Sequence, residues 1–280
     1  MFYYQLRNEL WKLFGKKRTY IGFAMCLLAE AVILLLFRYT HGPRRDMVHR
    51  LELMGYASDK FITNLTMATT VLVPVAFVLL PLYVSLVGGD LMAKEAEDGT
   101  LRMILARPIS RLRLVTAKWV AGAIFSVLLV LVLAGFGIAF SSIFFPSGGL
   151  FALLPMDGIF ALFGAGEGWQ RYTAATLVLS IKAITIMGLA WMFSCCNVKP
   201  AAATILALSF VLISRIIQEI PYFHDWQYWF ITYHLDLWMK MFQQPVPLSD
   251  LAQSLSILIG FNLTFFIVGG CIFQVRDIKS

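Results

Sequence analysis

Three stretches of this 280-residue chain, residues 61–89, 119–156 and 251–275, contain no Asp, Glu, Lys or Arg. At 29, 38 and 25 residues, each exceeds the roughly 20 apolar residues an α-helix needs to cross a bilayer core. Composition agrees: 59% of residues are hydrophobic and 14% charged, where a soluble domain carries about 25% charged residues. That excludes a disulfide-stapled secreted fold. The formal charge of +7 does not by itself indicate nucleic acid, because in such a chain it must first be read as membrane topology.

Six segments are long and apolar enough to cross, at about 20–37, 65–89, 119–140, 173–193, 201–220 and 251–275. Lipid offers no partner for bare backbone, and the segments lack the alternation of barrel strands, so they should be helices. The chain is therefore expected to be an all-α membrane protein with one transmembrane domain over 1–280, both termini on one side. Fourteen Lys and Arg residues fall on the side of the termini and seven on the other, while Lys182 and Arg215 lie within spans. This distribution places the termini in the cytoplasm. The first apolar run is 18 residues long with no small-x-small site after it, so it reads as a retained span rather than a cleaved signal. Ahead of it, Phe2, Leu6, Leu10, Leu13 and Phe14 recur at helical spacing while Arg7, Lys12, Lys16 and Lys17 occupy other faces. Residues 2–18 are expected to form an interfacial helix on the inner leaflet.

Two connecting regions are unusually apolar. In residues 141–170, Leu150-Phe151-Ala152-Leu153-Leu154 resembles Ile159-Phe160-Ala161-Leu162-Phe163 among Pro and Gly breakers, which suggests two short outer-leaflet or re-entrant pieces. Residues 222–242 hold nine aromatics. Trp226, Trp229 or Phe230, Tyr233, Leu237 and Met241 would share one stripe of a helix at the outer headgroup level.

Most catalytic patterns are missing. The chain has no P-loop, no His-Glu-x-x-His helix and no Gly-x-Ser-x-Gly elbow. His41, His49, His224 and His234 form no ligand-like cluster, and Cys26, Cys195, Cys196 and Cys271 read as small apolar residues, so neither a metal nor a bound cofactor is expected. Charges within spans carry more meaning, since each costs about 2.5–3.5 kcal/mol at a helix centre. Glu30 and Lys182 have opposite signs and similar depth, and are expected either to pair or, with Asn262, to line a polar translocation path. Arg215 and Glu219 are expected to form an exposed i, i+4 pair.

The most specific pattern lies between the second and third spans. Asp98 and Thr100 around Gly99 can cap a short helix from about Leu101 to Ala106, Arg107-Pro108 stops it, and Ser110 can cap the helix that follows. Leu101, Ile104 and Leu105 would share an apolar face, covered by the chain's own bundle or by a partner. Glu95-x-Glu97-x-Gly99-Thr100-Leu101, then Ala106-Arg107-Pro108-Ile109-Ser110-Arg111 and Lys118, resembles the signature of type-2 ATP-binding-cassette (ABC) permeases. The resemblance runs on through the basic N-terminal helix, the aromatic stretch before the last span and the Arg276-Asp277-Ile278 ending.

That resemblance implies the membrane subunit of an exporter in the cytoplasmic membrane of a bacterium. Residues 94–111 would be the coupling helix and residues 2–18 the connecting helix, with a lesser contact at Ser194 to Pro200. Glu95, Glu97 and Asp98 would meet basic groups of a separate ATPase subunit, and Leu101, Ile104 and Leu105 would fill its groove, with Gly99, Thr100, Arg107, Pro108, Ser110 and Arg111 completing the element. ATP and Mg would sit on that partner. A second permease copy, or a related permease, would complete the pathway, with membrane lipid around it and no role for nucleic acid. Two other readings stay open at this point: an ion-coupled secondary transporter using Glu30 and Lys182, and a non-transporting assembly factor.

Overall fold

The computed structural model describes residues 2–40, 62–106, 110–154 and 159–276. Helix α1 (Phe2–Phe14) precedes the first crossing helix, α2 (Lys17–Tyr39). The second crossing helix, α3 (Asn64–Glu97), contains one π-helical turn at Val75–Leu79 and leads to the short α4 (Thr100–Leu105). Then come α5 (Arg111–Phe144), strands β1 (Leu150–Leu154) and β2 (Ile159–Phe163), α6 (Ala165–Cys195) and α7 (Pro200–Gln218). Two 3-10 segments, Pro221–Trp229 and Leu237–Phe242, flank α8 (Ile231–Leu235), and α9 (Leu248–Val275) is the sixth crossing helix.

Helices α3 and α6 form the centre, and the other spans pack around them. Between lipid-soluble helices there is little hydrophobic driving force, so close approach relies on small residues. Gly88 and Gly89 supply it: a β-carbon on Gly88 would sit 2.5 Å from the Met187 carbonyl of α6, and one on Gly89 2.5 Å from Thr204 Oγ1 of α7. The π turn follows Pro74, whose ring cannot donate to the helical ladder. Arg111, at the start of α5, donates to the carbonyl of Arg276 after α9 at 3.1 Å, so both described chain ends lie at the end of the bundle that carries α1 and α4.

The opposite end differs from the sequence expectation in two places. Residues 150–154 and 159–163 pair as the two antiparallel arms of a hairpin rather than as re-entrant helical pieces, with Leu150 opposite Phe163 and Leu154 opposite Ile159. Two five-residue apolar segments are too short for a stable helix in isolation, and pairing satisfies their backbone. The hairpin docks on the start of α3, where Thr63 Oγ1 donates to the Gly149 carbonyl at 2.5 Å and Phe151 N donates to Thr66 Oγ1 at 2.9 Å. The aromatic stretch is also not one helix. Its path turns at Phe230 and Asp236, which buries Trp238 and Phe242 and leaves Tyr222, Trp226, Tyr228 and Trp229 exposed, so the single stripe is divided between core and surface.

Candidate functional site

At the end of the bundle carrying α1, Gly99 adopts φ +70°, a conformation that disfavours residues with a β-carbon, and turns the chain sharply from α3 into α4. Thr100 Oγ1 donates back to the Glu95 carbonyl at 3.3 Å. Beyond α4, the Ser110 side chain caps α5, accepting from Arg113 N. Residues 107–109, including Arg107 and Pro108, lie outside the described residues, as does the Leu105 side chain.

The apolar face of α4 is covered by the chain itself. Leu101 is buried in the core and Ile104 packs against it, whereas Met103 is 67% exposed. Leu101, expected to fill a partner's groove, is thus turned into the chain's own core, and the outward side chain is Met103.

Glu95 is likewise not free for a partner. Lys118 Nζ lies 2.8 Å from Glu95 Oε1 and 2.8 Å from Glu9 Oε2, and Lys12 Nζ lies 3.0 Å from Glu95 Oε1 and 2.7 Å from Glu9 Oε1. Two carboxylates and two ammonium groups thus close a ring that ties α1, α3 and α5. Lys118 at its centre is only 1% exposed. Burial pushes the Glu9 carboxyl up, but Lys118 and Lys12 outweigh it and hold the group below its ordinary value. Burial pushes Lys12 down, and Glu9 with Glu95 outweigh it in the other direction. Lys16, which no carboxylate compensates so closely, is held below its ordinary value by burial and by Arg18 and Lys118. Glu97 and Asp98 are half-exposed and, among the described residues, pair with Lys94 at 2.8 and 3.1 Å.

Between α1 and α4 runs a cleft of about 720 Å³, with Trp11 and Lys16 on one wall and Asp98, Met103 and Ile104 on the other. Trp11 is 79% exposed on a helix whose Leu13 is buried. Arg111 does not face the cleft; its guanidinium caps the C-terminal carbonyls of α9, including Gln274 at 2.9 Å.

The intramembrane charges are arranged otherwise than expected. Lys182 Nζ pairs with Asp236 Oδ1 at 3.0 Å, and Arg215 with the other oxygen of Asp236. Arg215 also keeps its contact with Glu219 at 3.1 Å. Glu30 stands apart, 1% exposed with neither carboxylate oxygen hydrogen-bonded among the described residues, so the Glu30–Lys182 pair is not formed. Asn262 Nδ2 donates to Thr185 Oγ1 at 2.7 Å and joins α9 to α6. Asp236 and the ring role of Glu9 escaped sequence reasoning. Glu9 stood out as the lone acid in a basic helix, three residues before Lys12, which was the available signal.

A protein-family model described as ABC-2 family transporter protein matches residues 5–215, a span that takes in most of α1, all four ring residues and α4. The chain belongs to the ABC-2 transporter family. It is also similar to the uncharacterized protein YhcI of Bacillus subtilis (strain 168), 24% identical over 211 residues. That match covers 72% of this chain and 66% of the relative, just under two-thirds of its length. ABC-2 membership and six apolar helices make the chain a multi-pass membrane protein of a transporter family. Permeases of the ABC-2 family work with an ABC ATPase subunit.

Proposed function

We propose that this chain is the permease subunit of an ATP-driven exporter in a bacterial cytoplasmic membrane, both termini inside, powered by a separate ATPase that holds ATP and Mg. The observation that carries the reading is the ring of Glu9, Lys12, Glu95 and Lys118, of which Glu9, Lys12 and Glu95 line the cleft beside α4. A partner seated on Met103, Glu97 and Asp98, with Trp11 at the far wall of the cleft, would push on an element braced to α1, α3 and α5 together. ATP-driven closure of two such partners would then tilt packed spans as bodies instead of bending one loop, which is how small shifts become large ones in packed helices. Six spans supply half of a pathway, and a second copy, or a related permease, supplies the rest. Apolar side chains such as Met25 and Ile216 face outward on α2 and α7, where lipid or that second copy covers them.

Co-purification tests this. The wild-type chain should retain an ATPase encoded beside it, and Met103→Asp combined with Asp98→Lys should lose it while inserting normally. Both positions are exposed, so the fold is spared, unlike at buried Leu101. Unchanged retention by the double variant would refute the docking surface. An ion-coupled carrier built on Glu30 and Lys182 has lost its shared site, because Lys182 is bound to Asp236.

A further inference from the structure

His234, on α8 at the end of the bundle opposite α4, is 3% exposed, and its Nε2 lies 3.0 Å from the Tyr228 carbonyl. A carbonyl oxygen only accepts, so Nε2 carries the proton and Nδ1 is the bare acceptor of a neutral ring. Nδ1 is buried without a hydrogen-bond partner, an arrangement that a folded interior seldom keeps. The bond also joins two different elements. Tyr228 belongs to the 3-10 segment Pro221–Trp229, whose Tyr222, Trp226, Tyr228 and Trp229 side chains are exposed, whereas α8 buries Ile231, Thr232 and Leu235 beside His234. A buried imidazole thus holds an outward-facing aromatic segment by its backbone.

The elements packed on α8 offer a second ring proton no acceptor among the described residues. From α7, Ser214 and Gln218 spend their side-chain oxygens on Thr232, at 3.1 and 2.6 Å, and Arg215 is paired with Asp236 and Glu219. Asp236, two residues after His234, divides its oxygens between Lys182 and Arg215. The Leu237–Phe242 segment brings a cation, Lys240, and α9 brings Asp250, which lies 3.8 Å from Lys240. Tyr233 stands edge-on to the imidazole at 5.3 Å and accepts from Lys240 at 3.1 Å. On the Pro221–Trp229 segment Asp225 is exposed, and the His224 side chain lies outside the described residues. Burial holds the His234 imidazole below its ordinary value of 6.5; the Tyr228 carbonyl opposes the shift and Lys240 adds to it.

We propose that the His234–Tyr228 bond is an acid-released latch: the neutral ring fastens the Pro221–Trp229 segment to α8, and proton uptake at Nδ1 frees it. Protonation turns the ring into a cation with two donors, of which only Nε2 has an acceptor, and an unpaired buried charge is costly until it reaches water. The 3-10 segment is the side that yields, since its aromatics already face outward while α8 is held by its buried side chains. A ring released to water titrates near 6.5 and the latched ring lower, so the latch is complete above 6.5 and is lost as pH falls from there through the lower latched value. In the proposed topology this end faces outside, and the signal is acid outside the cell. The test reads neither ATPase nor transport, so its failure would leave the permease reading untouched.

The test follows the fluorine resonance of Trp229 in the full-length chain in detergent, labelled with 5-fluorotryptophan and assigned by Trp229→Phe, from about pH 8 to about pH 4.5, the range in which histidine changes charge. The wild-type resonance is expected to pass to a second position below pH 6.5. His234→Gln keeps a neutral donor for the Tyr228 carbonyl and cannot take up the proton, so it should hold the alkaline spectrum throughout. His224→Gln should leave the transition in place, which assigns it to the buried ring. Lys240→Gln removes the cation that opposes the charged ring and should tighten proton uptake about threefold, moving the midpoint upward, an effect that a purely structural bond would not produce. If His234→Gln is already released at alkaline pH, the bond is what fastens the segment, and the Lys240→Gln midpoint decides the role of the proton. No wild-type transition, an unchanged transition in His234→Gln, its loss in His224→Gln, or a midpoint that Lys240→Gln leaves in place would overturn the proposal.

Discussion

Lys118 carries two opposing costs. An ammonium group 1% exposed near the membrane surface is expensive to dehydrate, and only the two carboxylates at 2.8 Å make its position tenable. Removing it alone leaves Glu9 and Glu95 with only Lys12. Lys118→Met should therefore destabilise the protein by about 3–5 kcal/mol, the range for breaking a buried pair, read as a drop in melting temperature in detergent. Adding Glu9→Leu to Lys118→Met should restore part of that loss; a double variant no better than the single one would show that the ring is not the source. The ring also sets a pH window. The folded value of Glu9 is lowered from 4.5, so its contribution is complete above that value and disappears as pH falls through the lower folded value. Lys12 is raised from 10.5, so its contribution is complete below that value and disappears as pH rises through the higher folded value. Melting temperature should hold a plateau between these limits, and a wild-type profile identical to that of Glu9→Gln on the acid side would contradict the assignment. These partners were hard to read in sequence because they stand 109 and 83 residues apart, distances that only helix packing closes. The same holds for Lys182 and Asp236, separated by 54 residues, where matching charge and depth pointed instead to Glu30.

Elements were more legible where the signal is local. Six helices long and apolar enough to cross a membrane form, as the sequence led us to expect, because about 20 mostly apolar residues suit a crossing helix whatever surrounds them. The α4 helix was also readable, since Gly99, Thr100 and Ser110 act on their own neighbours. The hairpin was not: five-residue apolar runs carry no periodicity that separates strand from helix, and their docking depends on Thr63 and Thr66 far upstream. Element geometry gives two further expectations. Gly99→Ala should cost about 1–2 kcal/mol by forcing a β-carbon into the left-handed region, although space around it is open. The expected readout is weaker ATPase retention with normal insertion, and full retention would mean that the α3–α4 turn need not be held. Gly88→Val should destabilise by about 1–3 kcal/mol, because its side chain meets the Met187 carbonyl and α6 must retreat from α3. A melting temperature equal to wild type would show that the two central helices are not in that close contact.

For the whole molecule, the division of labour is between two ends. One end gathers α1, α4, the ring of four charges and the cleft with its exposed Trp11 and Met103. The other gathers the hairpin, the 3-10 segments and the Lys182–Asp236–Arg215 cluster. The central α3 joins them, with Glu95 in the ring at one end and Phe77 of its π turn against the distal cations at the other. Family membership supplies the transport role, and the proposed mechanism requires that the ATPase meet the α4 end alone. The most direct measurement is photo-cross-linking in living cells, with a photoreactive residue placed at exposed Met103 or, at the opposite end, at exposed Tyr222. The account predicts a covalent product with the ATPase from position 103 and none from position 222; a product from position 222, or none from position 103 while the two proteins co-purify, would contradict it.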